Sequence, residues 1–231
     1  MHLFHSYVSS DSTKLRTCLK LLYEPCVKSQ VTTVKVIRFT MEQAAQLLES
    51  DPEVKVVHLI RDPRGMFYSQ RRVGDLPWAS LGTESKLRCD RIHKDLMKSI
   101  ELSAKFPKRI LTVRYEDIAE NPIASAEDMY KFVGLQMTDA GRSYIYNITN
   151  GLADTCPICT VRKNSTSTAY KWRSKVSYDS IQTIDKNCAN VYDMMGFRPY
   201  VNKDDVMKYL PKKDTFSDRL YKLENIKGVN S

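Results

Sequence analysis

Two hydrophobic periods alternate along the chain. The run "TTVKVIRF" (32–39) is mostly apolar and β-branched, and predicts a strand. Thr40 and Gln43 then form a capping-box pattern ahead of "MEQAAQLLES", where Met41, Ala44, Ala45 and Leu48 fall on one helical face. The near-continuous apolar run "VKVVHLI" (54–60) has the character of a strand buried on both sides at the centre of a parallel sheet. Residues 65–73 read as helical, and "GDLPWASLGTE" (74–84) as a loop centred on Trp78. A long amphipathic helix follows over 85–105 through Cys89, Ile92, Leu96 and Ile100. "RILTVRY" (109–115) is the third predicted strand. Asn121 and Pro122 then open a helix with Ala126, Met129, Tyr130 and Val133 inward, and Gly134 stops it. A last helix over 178–195 turns Ile181, Ile184, Cys188, Val191 and Met195 inward and ends at Gly196. Residues 12–28 predict one further helix, ending near Pro25.

Strands alternating with helices make the expected fold α/β, a parallel sheet flanked by helices. One domain is expected over 1–200, followed by a polar, lysine-rich tail over 201–231.

Charge narrows the partners. The 231 residues carry a formal charge of +9, which favours an anionic ligand such as a nucleotide phosphate or an acidic glycan. The positive residues are dispersed, and no nucleic-acid module with aromatic interleaving is present, so no nucleic-acid partner is expected. Only "CPIC" (156–159) among the 6 cysteines has metal-ligand spacing, and it lacks a second pair, so no metal is expected. The even cysteine count, with sequons at Asn147 and Asn164, points to the secretory pathway, with the cysteine pairing left open.

The chemistry concentrates where the 54–60 strand ends. In an open parallel sheet, ligands gather beyond the carboxyl ends of the strands. Arg61, Arg64 and Ser69 sit there, on a turn and the helix it begins, and a helix N-terminus with arginine forks and a hydroxyl suits a phosphate. The alternative is a surface ion pair between Arg61 and Asp62 with Ser69 solvated. His58, mid-strand, reads as a core histidine. Glu116 and Asp117, as consecutive residues, point to opposite faces and read as capping or ion-pairing groups.

"VVHLIRDPRGMFYSQR" resembles the 3′-phosphate-binding motif of sulfotransferases, which use 3′-phosphoadenosine 5′-phosphosulfate (PAPS). "LTVRYEDIAENPIASAEDMYKFVGL" (111–135) is similar to the strand and helix that follow in the same superfamily. "NSTSTAYKWRSKVSYDSIQTIDKNCANVYDMMGFRPY" (164–200) is similar to the C-terminal block of the Golgi carbohydrate sulfotransferases acting on the 6-hydroxyl of N-acetylglucosamine, galactose or N-acetylgalactosamine. The resemblance implies a P-loop-type nucleotide-binding fold, PAPS as co-substrate rather than a prosthetic group, and adenosine 3′,5′-bisphosphate as product. It implies a glycan acceptor on glycoprotein or glycosaminoglycan chains, and residence in the Golgi lumen as a type II membrane protein.

Residue by residue, the resemblance gives the 3′-phosphate to Arg61 and Ser69, with Arg64 beside them, and the adenine surroundings to Tyr115. Ser165, Thr168, Trp172 and Arg173 fall in the segment closing over the nucleotide. Arg38 ends the strand that would face the reacting sulfuryl group or acceptor, as a candidate catalytic residue. Trp172 and Tyr115 read equally as packing aromatics, and Arg38 as a solvent-facing strand end. The family's 5′-phosphosulfate loop, a glycine- and serine-rich turn after a first strand, has no counterpart upstream of Arg61, where residues 1–31 contain no glycine. Nor is there an N-terminal anchor. An N-terminally incomplete chain is therefore expected, missing its first strand-loop-helix. A non-catalytic nucleotide- or glycan-binding pseudoenzyme is the alternative reading.

Overall fold

The structure, a computed structural model, describes residues 23, 25, 27–74, 80–154, 156 and 159–208. It falls into two compact units, residues 1–39 and 40–231. Within the first, residues 23, 25, 27 and 28 are helical, while most of the helix predicted over 12–28 lies outside the described residues. The strand predicted over 32–39 does not form: residues 31–36 take no regular structure and 37–38 make a bend. β-propensity describes how well a side chain fits a half-buried ladder. The only ladder among the described residues joins two strands elsewhere. Arg38 accordingly ends no strand.

The second unit opens with helix α1 (Met41–Ser50), whose Thr40–Gln43 capping box forms as its residue types dictate. Met41, Ala44, Ala45 and Leu48 are all buried. Strand β1 (Val56–Ile60) leads through Arg61 and Asp62 into helix α2 (Pro63–Arg72). Asp62 is its N-cap, and its side chain accepts a hydrogen bond from the Arg64 N–H. The long helix α3 (Leu81–Lys105) returns the chain to strand β2 (Ile110–Arg114). β1 and β2 pair in parallel, from Val56 opposite Ile110 to Ile60 opposite Arg114. The parallel sheet is thus the expected one, but it has two strands among the described residues instead of three. One face of β1 is open: Val57 and Leu59 are 40% and 54% exposed, so the expectation of burial on both faces holds for Ile60 only.

Helices α4 (Tyr115–Glu120) and α5 (Pro122–Val133) follow β2 directly. Tyr130, expected inward, is exposed, and Ala126 is the buried residue of that face. Helix α6 (Asp139–Thr149), which the hydrophobic pattern did not announce, buries none of its residues. After it come helix α7 (Ser165–Tyr170), a 3₁₀ turn (Lys171–Ser174) and helix α8 (Tyr178–Met195). Gly196 ends α8 at φ 77°, a left-handed conformation that glycine adopts without steric cost. Lys203–Lys208 form a short helix α9 with Val206 buried, within the stretch expected to be tail. No helix among the described residues is long and apolar enough to cross a membrane.

Helices α3 and α8 are the backbone of the core. Leu81, Leu96 and Ile100 of α3 meet Ile184, Val191 and Met195 of α8, with Ile60 and Phe67 closing the cluster from β1 and α2. Cys89 and Cys188 cross-link the two helices as a disulfide, both fully buried. Asn187 adds donations to the Gly82 carbonyl and the Ser85 hydroxyl at 2.9 and 2.7 Å. Cys156 and Cys159 form a second, local disulfide.

The Cys89–Cys188 bridge spans 99 residues of sequence. Closing a loop of that length removes roughly 4–5 kcal/mol of unfolded-chain entropy. Replacing both cysteines by serine is expected to lower unfolding stability by about 2–5 kcal/mol in non-reducing denaturant titrations. A loss below about 1 kcal/mol would show that the helix interface holds without the bridge.

Candidate functional site

The site begins with two arginines three positions apart that face opposite ways. Arg64 points inward and is wholly buried. Its Nε and Nη2 donate to Asp62 Oδ1 and Oδ2, each at 2.9 Å, while Nη1 donates to Asp185 Oδ1 at 3.3 Å and to the Arg198 carbonyl at 3.1 Å. The rings of Tyr200, Tyr192 and Trp172 stand 4.2, 4.7 and 5.2 Å from the guanidinium carbon. Burial works against its charge, yet Asp62 and the surrounding groups hold Arg64 ionised well above the ordinary arginine range. Its forks are spent inside the fold, so Arg64 shapes the turn and does not present its guanidinium to a ligand. Sequence reasoning placed it among the ligand-binding residues because the spacing of Arg61 and Arg64 says nothing about which one the core claims.

Arg61 has the opposite situation. It is half-buried, and its guanidinium lies over the Tyr115 ring, 4.2 Å from the centroid. The Nε–H is buried without a hydrogen-bond partner. Strand-end geometry produces this pairing: β1 and β2 run parallel and in register, so Arg61 and Tyr115 emerge side by side just past Ile60 and Arg114. Tyr115 is therefore brought to the site, as the first residue of α4.

Gly65 completes the recess. A Cβ there would meet Trp172 Cδ1 at 3.0 Å and Nε1 at 3.2 Å, and Arg61 Nε at 3.5 Å. Glycine thus lets Trp172 and Arg61 lie close against α2, where a Cβ would crowd the indole. The Trp172 Nε1–H is likewise buried and unpartnered. Ser69 lies one turn beyond Gly65 on the same face of α2 and is half-buried.

The α7 segment reaches the site by another route. Ser165 and Thr166 both donate to the Ala119 carbonyl at the end of α4, at 2.6 and 3.1 Å. Asn164 caps α7 by accepting from the Ser167 N–H at 2.7 Å, and the Thr168 hydroxyl donates to the Asn164 carbonyl at 2.9 Å. These hydroxyl protons go to backbone oxygens: Ser165 ties α7 to α4, and Thr168 closes the first turn of α7. Trp172 is 1% exposed and packs against Tyr200 with centroids 6.2 Å apart. Arg173 stacks on Tyr170 at 4.3 Å, with its Nε–H buried and unpartnered.

Glu116 and Asp117 do diverge, though as residues of a helix and not of a strand. Asp117 receives Arg114 at 2.6 Å near the surface. Glu116 is fully buried; its Oε1 accepts from the Asp62 N–H at 3.2 Å and its Oε2 has no partner. Burial first, and the Asp62 carboxylate second, push its pKa up to about 7. Sequence alone gave no sign of this, since burial and Asp62, 54 residues earlier in the chain, raise the pKa. His58 is half-buried in β1 and burial lowers its pKa, but its Nδ1 is buried without a hydrogen-bond partner, so it is not the satisfied core histidine expected.

The family model described as the sulfotransferase family matches residues 11–139. Carbohydrate sulfotransferase 5 of Homo sapiens is 28% identical over 211 residues, 82% of this chain and 51% of that protein. Carbohydrate sulfotransferase 1 of Danio rerio is 28% identical over 213 residues, covering 82% of this chain and 49% of that protein. Carbohydrate sulfotransferase 6 of Homo sapiens is 26% identical over 224 residues, covering 86% of this chain and 57% of that protein. The chain spans about half the length of these curated relatives. No solved structure matches it significantly.

Arg64→Ala should be among the most damaging single changes here, because it leaves Asp62 and Asp185 buried without their cation. Removing one partner of a buried pair costs about 3–5 kcal/mol. Chemical denaturation measures this directly. An Arg64→Ala chain with near-normal stability would mean the cage is not what orders the turn.

Proposed function

The chain belongs to the sulfotransferase family, and on that premise we propose that the recess at the end of β1 holds the 3′-phosphate of PAPS for sulfuryl transfer to a glycan hydroxyl. The observation that carries the reading is the pair of buried, unpartnered N–H groups of Arg61 and Trp172 converging on Gly65. Unmet donors in the interior are costly, and an anion's oxygens satisfy them. Bound there, PAPS supplies the sulfuryl group.

Each residue has a task the geometry supports. Tyr115, under the Arg61 guanidinium, fixes its plane and leaves its outer edge for phosphate oxygens. Ser69 adds a hydroxyl one turn along the same face. The α7 cap and the 3₁₀ turn carry Trp172 and Arg173 to the other side, with Ser165 and Thr168 acting through the backbone. Arg64 acts through Asp62 by holding the turn that aims Arg61. The 6-hydroxyl of a sugar such as N-acetylglucosamine is the proposed acceptor, and the Golgi lumen the proposed location, by likeness to the carbohydrate sulfotransferases. A second reading, a nucleotide- or glycan-binding protein without turnover, shares the same recess and differs only in transfer.

Arg61→Ala is expected to weaken binding of adenosine 3′,5′-bisphosphate by at least tenfold, with Arg61→Lys intermediate because a point charge cannot reproduce the fork. Ser69→Ala should cost less, in line with one neutral hydrogen bond of about 1 kcal/mol. Titration calorimetry reads both, and a sulfate-transfer assay with glycan acceptors separates the enzyme from the binding protein. Unchanged nucleotide affinity in Arg61→Ala would sink the assignment.

A further inference from the structure

We infer that Glu116 is a positioning residue which couples anion binding at Arg61 to the uptake of a proton; this inference rests on the phosphate reading above. The geometry comes first. Glu116 is wholly buried, and one of its oxygens accepts the backbone N–H of Asp62, the residue directly after Arg61. It follows Tyr115, whose ring carries the Arg61 guanidinium at 4.2 Å. The carboxyl therefore holds the strand-end turn from below while its neighbour holds the arginine from the side. Its second oxygen, Oε2, is buried with no donor to meet it.

The charges around it are unequal. From the turn, Arg61 draws Glu116 toward ionisation and Asp62 opposes it, with burial opposing more strongly than either. Tyr170 faces it from α7, with its own hydroxyl bonded to Glu120 at 2.5 Å and Arg173 stacked on its ring. Arg64 stands beyond Asp62 and is engaged by it, and Arg114 is engaged by Asp117. Arg61 is thus the cation whose attraction the ionised carboxylate depends on and which a ligand can compete for. When a phosphate takes that guanidinium, negative charge arrives beside Glu116 and the support for its ionised form weakens. The carboxyl then takes up a proton, which removes a buried negative charge whose Oε2 meets no donor. Because Glu116 already titrates near neutrality, the uptake falls in an accessible range. Linkage requires the reverse effect too: rising pH, by ionising Glu116, weakens anion binding.

Glu116→Gln removes the titration and keeps an oxygen to accept the Asp62 N–H. Calorimetry with adenosine 3′,5′-bisphosphate at pH 6, 7 and 8, in buffers of different ionisation heat, measures affinity and proton exchange together. In the wild-type chain, affinity is expected to fall between pH 6 and pH 8 by about fivefold or more beyond any fall in Glu116→Gln. Binding near pH 7 should take up more protons, or release fewer, in the wild type than in Glu116→Gln. The ligand's own phosphate, drawn to its dianion by Arg61, releases protons, so uptake by the protein has the opposite sign. If Glu116→Gln fails to fold, proton exchange of the wild type at pH 8 still decides, because the ligand's phosphates, with a second pKa of about 6, are already dianions there: uptake supports the coupling and its absence overturns it. Equal pH profiles, or no protein-borne uptake, would overturn the coupling while leaving the phosphate site intact. Absence of nucleotide binding in a folded wild-type chain at every pH would instead overturn the phosphate reading itself.

Discussion

The arrangement at the strand end depends on one buried cation. Arg64 ties its own turn, through Asp62, to three later stretches: Trp172, Asp185 and Tyr192 of α8, and the 198–200 segment with the Arg198 carbonyl and the Tyr200 ring. Asp185 extends the cage, since it also accepts the Tyr192 hydroxyl at 2.6 Å and the Tyr200 N–H at 2.8 Å. Burying a guanidinium is unfavourable unless nearly every donor is met, and here carboxylates and a carbonyl meet them. An apolar residue of the same size would fill the space. It would not set the angle of the turn, the cap of α2 and the height of Trp172 at once.

That cage explains why two arginines in the same short turn do unlike things. Asp62 is both the α2 cap and the bidentate partner of Arg64, so the turn is fixed before any ligand arrives. Arg61, one residue earlier, is left with an aromatic platform and an unmet donor. Preorganisation of this kind lowers the ordering cost of binding an anion, because the guanidinium is already held in plane. The rest of the fold keeps the platform steady. β2 delivers Tyr115 alongside Arg61, and Arg114 at its end donates to the Met195 carbonyl at 3.1 Å, tying the strand to the last turn of α8.

Much of this was legible in the sequence where the signal is local. The α1 capping box, the inward stripe of α8 and its glycine stop, and the two described strands follow from periodicity and residue type. The 32–39 run was misread because strand propensity does not supply a partner, and β1 was read as doubly buried because apolar content does not say how many neighbours a strand has. The site was legible in part. The sequence brings Arg61 and Ser69 to the strand end, where the structure places them, but the division between Arg61 and Arg64 does not show. It is decided by Asp185 and the 192–200 segment, more than a hundred residues away. Glu116 was invisible for the same reason: its environment is assembled across β1, α4 and α7.

The buried polar set also carries its charges unevenly. Two guanidiniums, those of Arg64 and Arg114, are buried with Asp62, Asp185 and Glu116, and Arg114 is already engaged by Asp117, so ionising all three carboxyls leaves the interior short of positive charge. Burial raises the pKa of both Asp185 and Glu116, but Asp185 has Arg64, a tyrosine hydroxyl and a backbone N–H to offset it. Glu116 has its own backbone N–H and that of Asp62, and the field of Arg61. Of the three it is the carboxyl least secured by the fold, and it stands under the arginine that a phosphate would claim. The same imbalance therefore gives the folded chain a pH dependence. A carboxyl whose pKa is raised on folding stabilises the fold below its unfolded pKa, and that contribution is lost as pH rises through about 7. On the proposed reading, a phosphate site whose supporting carboxyl gives up its proton works against itself at high pH. The interior of this protein is set so that the conflict eases when the carboxyl stays neutral.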